Sequence, residues 1–221
     1  MSTVRGMLKY GAAGAVLAVA LLAGNTNAPA QNADLEQQIL KSLSPVAKPT
    51  EPSRSPTRSL TATPVDTVPT DDNKFLDSVK NRPSRSLTVE EREQIASIAK
   101  DRPSVDVEIN FDYGSANIGR AAAPSVTALG RALTSPELKG STFVLAGHTD
   151  AKGNDRVNQE LSEKRADSVK RYLVERFRIP ATTLVTVGYG KAKLKNESDP
   201  MGAENRRVQI VNMEEKAVSE R

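Results

Sequence analysis

The sequence contains no cysteine, no tryptophan and only one histidine, His148. Without cysteine the chain can form neither a disulfide framework nor a thiolate metal site. A zinc site needs three or four ligands and nothing near His148 supplies them, so we interpret this histidine as structural. No Gly-x-Ser-x-Gly nucleophile elbow is present, and Gly188-Tyr189-Gly190-Lys191 lacks the spacing of a phosphate-binding loop. We therefore expect no enzymatic activity, no cofactor and no metal site.

A strong charge of either sign is also missing, since 31 basic residues face 27 acidic ones. Arg5 and Lys9 precede an uncharged run, Tyr10–Gly24, which is followed by the small residues of Ala28–Ala30. This order is typical of a secretory signal peptide, here residues 1–30, with Gln31 as the new N-terminus. Removing it would leave 29 basic residues against 27 acidic ones, a balance that is not typical of a nucleic-acid-binding protein. The alternative is an uncleaved anchor, although the run is shorter than the roughly 20 residues that span a bilayer.

Residues 31–104 contain eight prolines and no glycine, and their apolar residues are mostly single. Such a segment cannot bury enough surface to fold alone, so we predict a largely disordered, Pro/Ser/Thr-rich linker. Two short helices are expected within it, one from about Asp34 and one after Thr88, whose capping partner is Glu91. Neither has an obvious partner surface in the sequence. The linker is interpreted as a spacer that gives reach, as an unselected tail, or as a segment that binds another envelope protein.

A folded domain is predicted over residues 105–214, followed by a charged tail at 215–221. Val105, Val107, Ile109 and Phe111 alternate with polar residues, which is the pattern of a half-buried strand. Helices are predicted over 120–133 and 155–177, and further strands over 142–146, 184–187 and 206–212. This order predicts an α/β (α+β) sandwich of the βαβαβ type, with helices on one mixed sheet, large enough to be stable alone. The residues predicted to face inward from the long helix are Val157, Leu161, Val169, Leu173 and Phe177.

The densest motif is Gly147-His148-Thr149-Asp150, followed by Asn158, Leu161-Ser162, Arg165-Ala166, Gly188-Tyr189-Gly190 and Asn205-Arg206-Arg207-Val208. Together with Ile109-Asn110-Phe111-Asp112, it resembles the OmpA-like C-terminal domain shared by peptidoglycan-associated lipoproteins and flagellar-motor stator proteins. The resemblance covers residues 105–214. It implies a non-enzymatic domain that binds peptidoglycan in the periplasm, in association with the outer membrane.

Asp150 is predicted at the carboxyl end of a strand, where α/β layers commonly bind ligands. Asn158, Ser162 and Arg165 share one helix face because they are spaced i, i+4, i+7. A carboxylate and a guanidinium at the opening of one pocket could bind a zwitterion, the carboxylate holding its ammonium and the guanidinium its carboxylate. The resemblance implies that Asp150 and Arg165 hold meso-diaminopimelate of the peptide stem. It also implies pocket roles for Asn158, Leu161 and the loop Asp112–Ala116.

Two alternatives remain open for these charges. Asp150 and Arg165 could form a structural salt bridge that binds no ligand. Arg206 and Arg207 point in opposite directions on a strand, so at most one of them faces the pocket, and we favour Arg206.

Overall fold

A computed structural model describes residues 28–44 and 71–214. The apolar run at 10–24, the proline-rich residues 45–70 and the charged tail at 215–221 lie outside the described residues, and the predictions made for them stay predictions. No helix in the two described ranges is long and apolar enough to cross a bilayer.

Five α-helices and four strands make up the described ranges, with short 3-10 turns at Ser84–Ser86, Ala181–Thr183 and Ala203–Asn205. The helices are α1 (Ala28–Leu43), α2 (Asp71–Val79), α3 (Val89–Ala99), α4 (Ala123–Leu133) and α5 (Asp155–Phe177). The strands are β1 (Ser104–Val107), β2 (Phe143–Gly147), β3 (Leu184–Gly188) and β4 (Val208–Asn212).

The four strands form one mixed sheet in the order β1-β4-β2-β3. β2 and β3 are parallel, and β4 runs antiparallel to both β1 and β2. The predicted sandwich of helices on a mixed sheet is confirmed. The ladder of β1 ends at Val107, earlier than predicted, but burial continues to alternate, with Ile109 buried and Phe111 half-buried.

One face of the sheet, here the inner face, packs against α4 and α5. Its strand residues include Leu145, Leu184 and Ile210, which share a core cluster with Leu129 of α4 and Leu173 of α5. The predicted inward position of Val157 is wrong, because its side chain is 48% exposed. α5 begins beyond the carboxyl ends of the strands and meets β3 and β2 only from about Gln159 and Ser162 onward, so the side chain of Val157 has no strand beneath it.

The opposite, outer face is covered by α2 and α3. Leu76 of α2 and Ile95 of α3 belong to a second core cluster with Val144, Val185 and Val211 of the strands. The predicted cap of α3 is present as a full capping box between Thr88 and Glu91. The expectation that these early helices lack a partner surface is wrong, since the outer sheet face is apolar and α3 buries its one fully enclosed side chain on it.

α1, the helix expected near Asp34, also has a partner. It lies against α4, with Ile39 and Leu43 fully buried in the inner cluster. Asn212 Nδ2 of β4 donates to the Leu43 carbonyl oxygen at 2.9 Å, which fixes the end of α1 to the sheet. Residues 45–70 therefore join two segments that both lie on the same domain. The interpretation of residues 31–104 as a spacer, which includes residues 45–70 outside the described ranges, stays a prediction.

Two glycines let α5 approach the strand ends closely. A Cβ at Gly147 would collide with the Ser162 carbonyl oxygen, and one at Gly188 would stand 2.6 Å from Ser162 Oγ. Ser162 Oγ also accepts a hydrogen bond from Gly190 N at 2.9 Å. The close approach holds the first half of α5 directly beside the loop that follows β2.

Candidate ligand-binding site

Asp150 lies in the loop between β2 and α5, and local hydrogen bonds set its conformation. Its Oδ1 accepts from Lys152 N at 3.1 Å. Asn154 caps α5 by accepting from Val157 N at 2.8 Å, and Asn158 Nδ2 donates to the Lys152 carbonyl oxygen at 2.9 Å. Such side-chain bonds to the backbone are the usual way to fix a tight turn before a helix. The Asp150 carboxylate is thus held in place at the mouth of the site.

Arg206 supplies the direct partner of Asp150. Its Nη1 donates to Asp150 Oδ2 at 2.9 Å, and the aspartate side chain is 15% exposed against 45% for the arginine. Arg207 points the other way, where its Nε donates to Asp106 Oδ1 at 3.1 Å. The two arginines therefore point to different partners, with Arg206 on the side of Asp150, but both precede β4, which begins at Val208 and not at Arg206 as predicted.

Arg165 is the most enclosed charge of the group, with 6% of its surface exposed. Its Nε donates to the Ser115 carbonyl oxygen at 3.0 Å, and its Cζ lies 4.9 Å from the centre of the Phe111 ring. Burial lowers the pKa of Arg165 below its ordinary value; the charge of Asp150 opposes this shift and that of Arg206 adds to it. Within the described ranges neither of its terminal amino groups donates a hydrogen bond to the protein, and neither is sealed from solvent. Two donors of a positioned guanidinium are thus available at the mouth.

The other predicted residues are Asn158, Leu161 and Asp112, and in the part of the chain that the structure describes none of them is ion-paired with the three charged residues of the site. Asn158 is buried and braces the Asp150 loop, and Leu161 is half-buried on the same stretch of α5. Asp112 is exposed, and no contact among the described residues joins its carboxylate to Asp150, Arg165 or Arg206. Phe111 was not predicted as a site residue, although the alternation of its strand places it on the inner side together with Ile109.

The site therefore combines a carboxylate and two guanidinium groups: Asp150 is bonded to Arg206 and interacts electrostatically with Arg165. This arrangement can pair a ligand ammonium with Asp150 and a ligand carboxylate with Arg165, whose planar fork can donate two parallel hydrogen bonds to it. Since Asp150 is already paired with Arg206, a ligand ammonium has to share or displace that contact. A separate groove of about 730 Å³ runs along α5 between the turn at Ser84 and Asn117, and it is lined by none of these three residues.

Comparison with known proteins identifies the region that carries this site. The model of the OmpA family matches residues 110–207. These residues form an OmpA family domain. The match includes Asp112, Asp150, Arg165 and Arg206, and it ends at Arg207.

The relatives of this OmpA domain are similar over only part of their length. The peptidoglycan-associated lipoprotein of Pseudomonas aeruginosa is 36% identical over 104 residues, which cover 45% of this chain and 58% of that protein. Outer membrane protein P5 of Haemophilus influenzae is 33% identical over 89 residues, which cover 40% and 24%. The crystal structure of the peptidoglycan-associated lipoprotein from Burkholderia pseudomallei is 24% identical, with a TM-score of 0.39 and coverage of 52% and 92%. The chain thus spans less than two thirds of the two relatives matched by sequence.

His148, inside the OmpA domain, lies buried next to the site. Its Nδ1 is 3.0 Å from the Lys193 carbonyl oxygen, which can only accept, so Nδ1 carries the proton. Burial, together with a smaller effect of the nearby Arg207, lowers the pKa of His148 to about 3. The ring is therefore neutral at physiological pH. In the described ranges no three His, Asp or Glu side chains stand close enough together to hold a metal ion.

The buried neutral ring predicts a pH dependence of stability. The unfolded chain binds a proton at His148 below a pKa of about 6.5, whereas the folded chain does not until about 3. Its contribution to the free energy of unfolding is therefore present above pH 6.5 and declines as the pH falls. Between pH 7 and pH 5 we expect a loss of about 2 kcal/mol. Urea unfolding at both values measures it, and His148→Gln should abolish most of the difference, because the chain has no other histidine. An equal loss in the variant would assign the dependence to other groups.

Proposed function

We propose that the OmpA domain binds peptidoglycan non-covalently through the free end of meso-diaminopimelate in the peptide stem. That end carries an ammonium and a carboxylate on one carbon, so it needs an anion and a cation at a short separation. Asp150 and Arg165 supply the two charges, and Arg206 flanks Asp150. The observation that carries the proposal is the enclosed Arg165 guanidinium with two uncommitted donors.

Several features support Arg165 as the residue that selects the ligand. A buried guanidinium costs desolvation energy, which a bidentate carboxylate partner offsets far better than water at a narrow mouth does. The Ser115 carbonyl and the Phe111 ring hold Arg165 without neutralising it. Its positive charge therefore remains available for an anionic ligand group.

The proposal describes a binding module without chemistry. His148 is buried and neutral, so it is a poor general base. The names of the relatives that include peptidoglycan or the outer membrane agree with a role in the periplasm as a reversible link between the cell wall and the envelope. The interpretation of residues 31–104 as the site for an envelope protein partner stays a second prediction.

A pair of stem peptides tests the choice of ligand. L-alanyl-γ-D-glutamyl-meso-diaminopimelate and the same tripeptide ending in lysine differ only in the carboxylate that we assign to Arg165. We expect calorimetry to show about 30-fold or greater weakening with lysine, because the guanidinium is left unpaired in a partly desolvated site. Sedimentation of the full chain with purified sacculi is the companion measurement. Equal affinities for the two tripeptides would contradict the assignment even if the sacculi bind.

A further inference from the structure

Tyr113 is the most exposed of the large hydrophobic side chains in the described ranges, at 90%. A single exposed aromatic is ordinary on a protein surface. Its place is what distinguishes it, because the turn that carries it is attached to Arg165 at both ends: Phe111 contacts the guanidinium, and the Ser115 carbonyl accepts from Nε. Tyr113 lies two residues from each, so its Cα is at most about 7.6 Å from theirs.

The turn presents the ring in a defined way. Ser115 N donates to the Asp112 carbonyl oxygen at 3.0 Å. Gly114 has a φ of +65°, a backbone conformation that residues other than glycine rarely adopt. Lys152 extends from the Asp150 loop and places its Nζ 5.4 Å from the centre of the Tyr113 ring. The two loops therefore meet at this ring, on the rim of the proposed site. With Lys152 over one face and nine tenths of the side chain exposed, the opposite face is open.

We propose that the open face of Tyr113 stacks on a sugar ring of the glycan strand, which extends the contact of the OmpA domain from the peptide stem to the saccharide. This inference rests on the proposed function. The pyranose ring presents a face of C–H groups, which suits the negative face of an aromatic ring. In peptidoglycan the side chain of diaminopimelate, the γ-linked glutamyl residue, the alanyl residue and a lactyl group join that free end to the sugar, a flexible connection of roughly 20 Å when extended. A stem held at Arg165 can therefore fold back and bring the sugar over the turn that Phe111 and Ser115 attach to that residue.

The test compares two ligands on four forms of the full chain. The ligands are the diaminopimelate tripeptide and the disaccharide-tripeptide that carries N-acetylglucosamine and N-acetylmuramic acid. The proteins are wild type, Tyr113→Ala, Tyr113→Phe and Val89→Ala, the last being a matched loss of exposed apolar surface at a distant helix, where Val89 is 60% exposed. We expect wild type to bind the disaccharide-tripeptide about tenfold more tightly than the tripeptide, which is the usual gain from one well-placed aromatic contact.

The variants decide between stacking and a merely structural role. Tyr113→Ala should remove the tenfold gain and leave the affinity for the tripeptide within about twofold, whereas Tyr113→Phe and Val89→Ala should keep the gain. In NMR spectra of the wild-type complex, resonances of sugar-ring protons should move upfield through the aromatic ring current. Equal wild-type affinity for both ligands, or equal weakening of both by Tyr113→Ala, overturns the inference while the stem-peptide function stands. Failure of wild type to bind either ligand overturns both.

Discussion

Replacing Arg165 with alanine is expected to weaken binding of the diaminopimelate tripeptide by about 30-fold to 10³-fold. The side chain is the most enclosed charge of the site, and its removal leaves the ligand carboxylate without a partner in a partly desolvated mouth. Arg206 cannot replace it, because its guanidinium is half-exposed and already bound to Asp150. Titration calorimetry at constant ionic strength measures the effect.

Two further variants separate binding from folding. Arg165→Lys keeps the charge but loses the bidentate geometry, so we expect an intermediate loss. Lys164→Ala removes a positive charge from the neighbouring position of α5, where the side chain is 68% exposed, and should bind normally. Thermal unfolding of each variant shows whether the loss of the Ser115 and Phe111 contacts has affected the fold. A folded Arg165→Ala protein with wild-type affinity would rule out the proposed site.

Much of the OmpA domain could be predicted from the sequence because its signals are local. The predicted bounds of α5 agree with the structure. Asn154 is a strong N-cap, and the helix ends where Arg178 takes a left-handed conformation, two residues before Pro180. The places of Asp150 after a strand end and of Arg165 on α5 followed from the order of the elements. The pairing of Asp150 with Arg206 was harder to predict, because it depends on β4 lying between β1 and β2 in the sheet.

The docking of the early helices could not be predicted from their own composition. α3 has one fully buried side chain, Ile95, with Ala96, Ile98 and Ala99 partly buried beside it, which is a short apolar stretch at one end of the helix and not a stripe along its length. The signal was in the strands instead: Phe143–Gly147 and Leu184–Gly188 are buried throughout, and strands of that kind need a cover on both faces. Residues 105–214 contain no third helix for the outer face. We therefore expect that domain, produced alone, to expose an apolar surface around Val144 and Val185.

Ile95→Ala is the sharpest test of that cover. The Ile95 side chain is fully buried between α3 and the outer sheet face, so its truncation should lower the free energy of unfolding by about 2–4 kcal/mol, through lost burial and the cavity left behind. That corresponds to a fall in the melting temperature of roughly 10 °C for a domain of this size.

Val89→Ala, on the same helix but 60% exposed, removes apolar atoms without creating a cavity and should change stability by less than about 0.5 kcal/mol. Both variants have the same change in helix propensity to within a few tenths of a kcal/mol, since each replaces a β-branched residue with alanine. The difference between them therefore measures the packing of α3 on the sheet, and equal, small effects would mean that α3 is not part of the folded domain in solution.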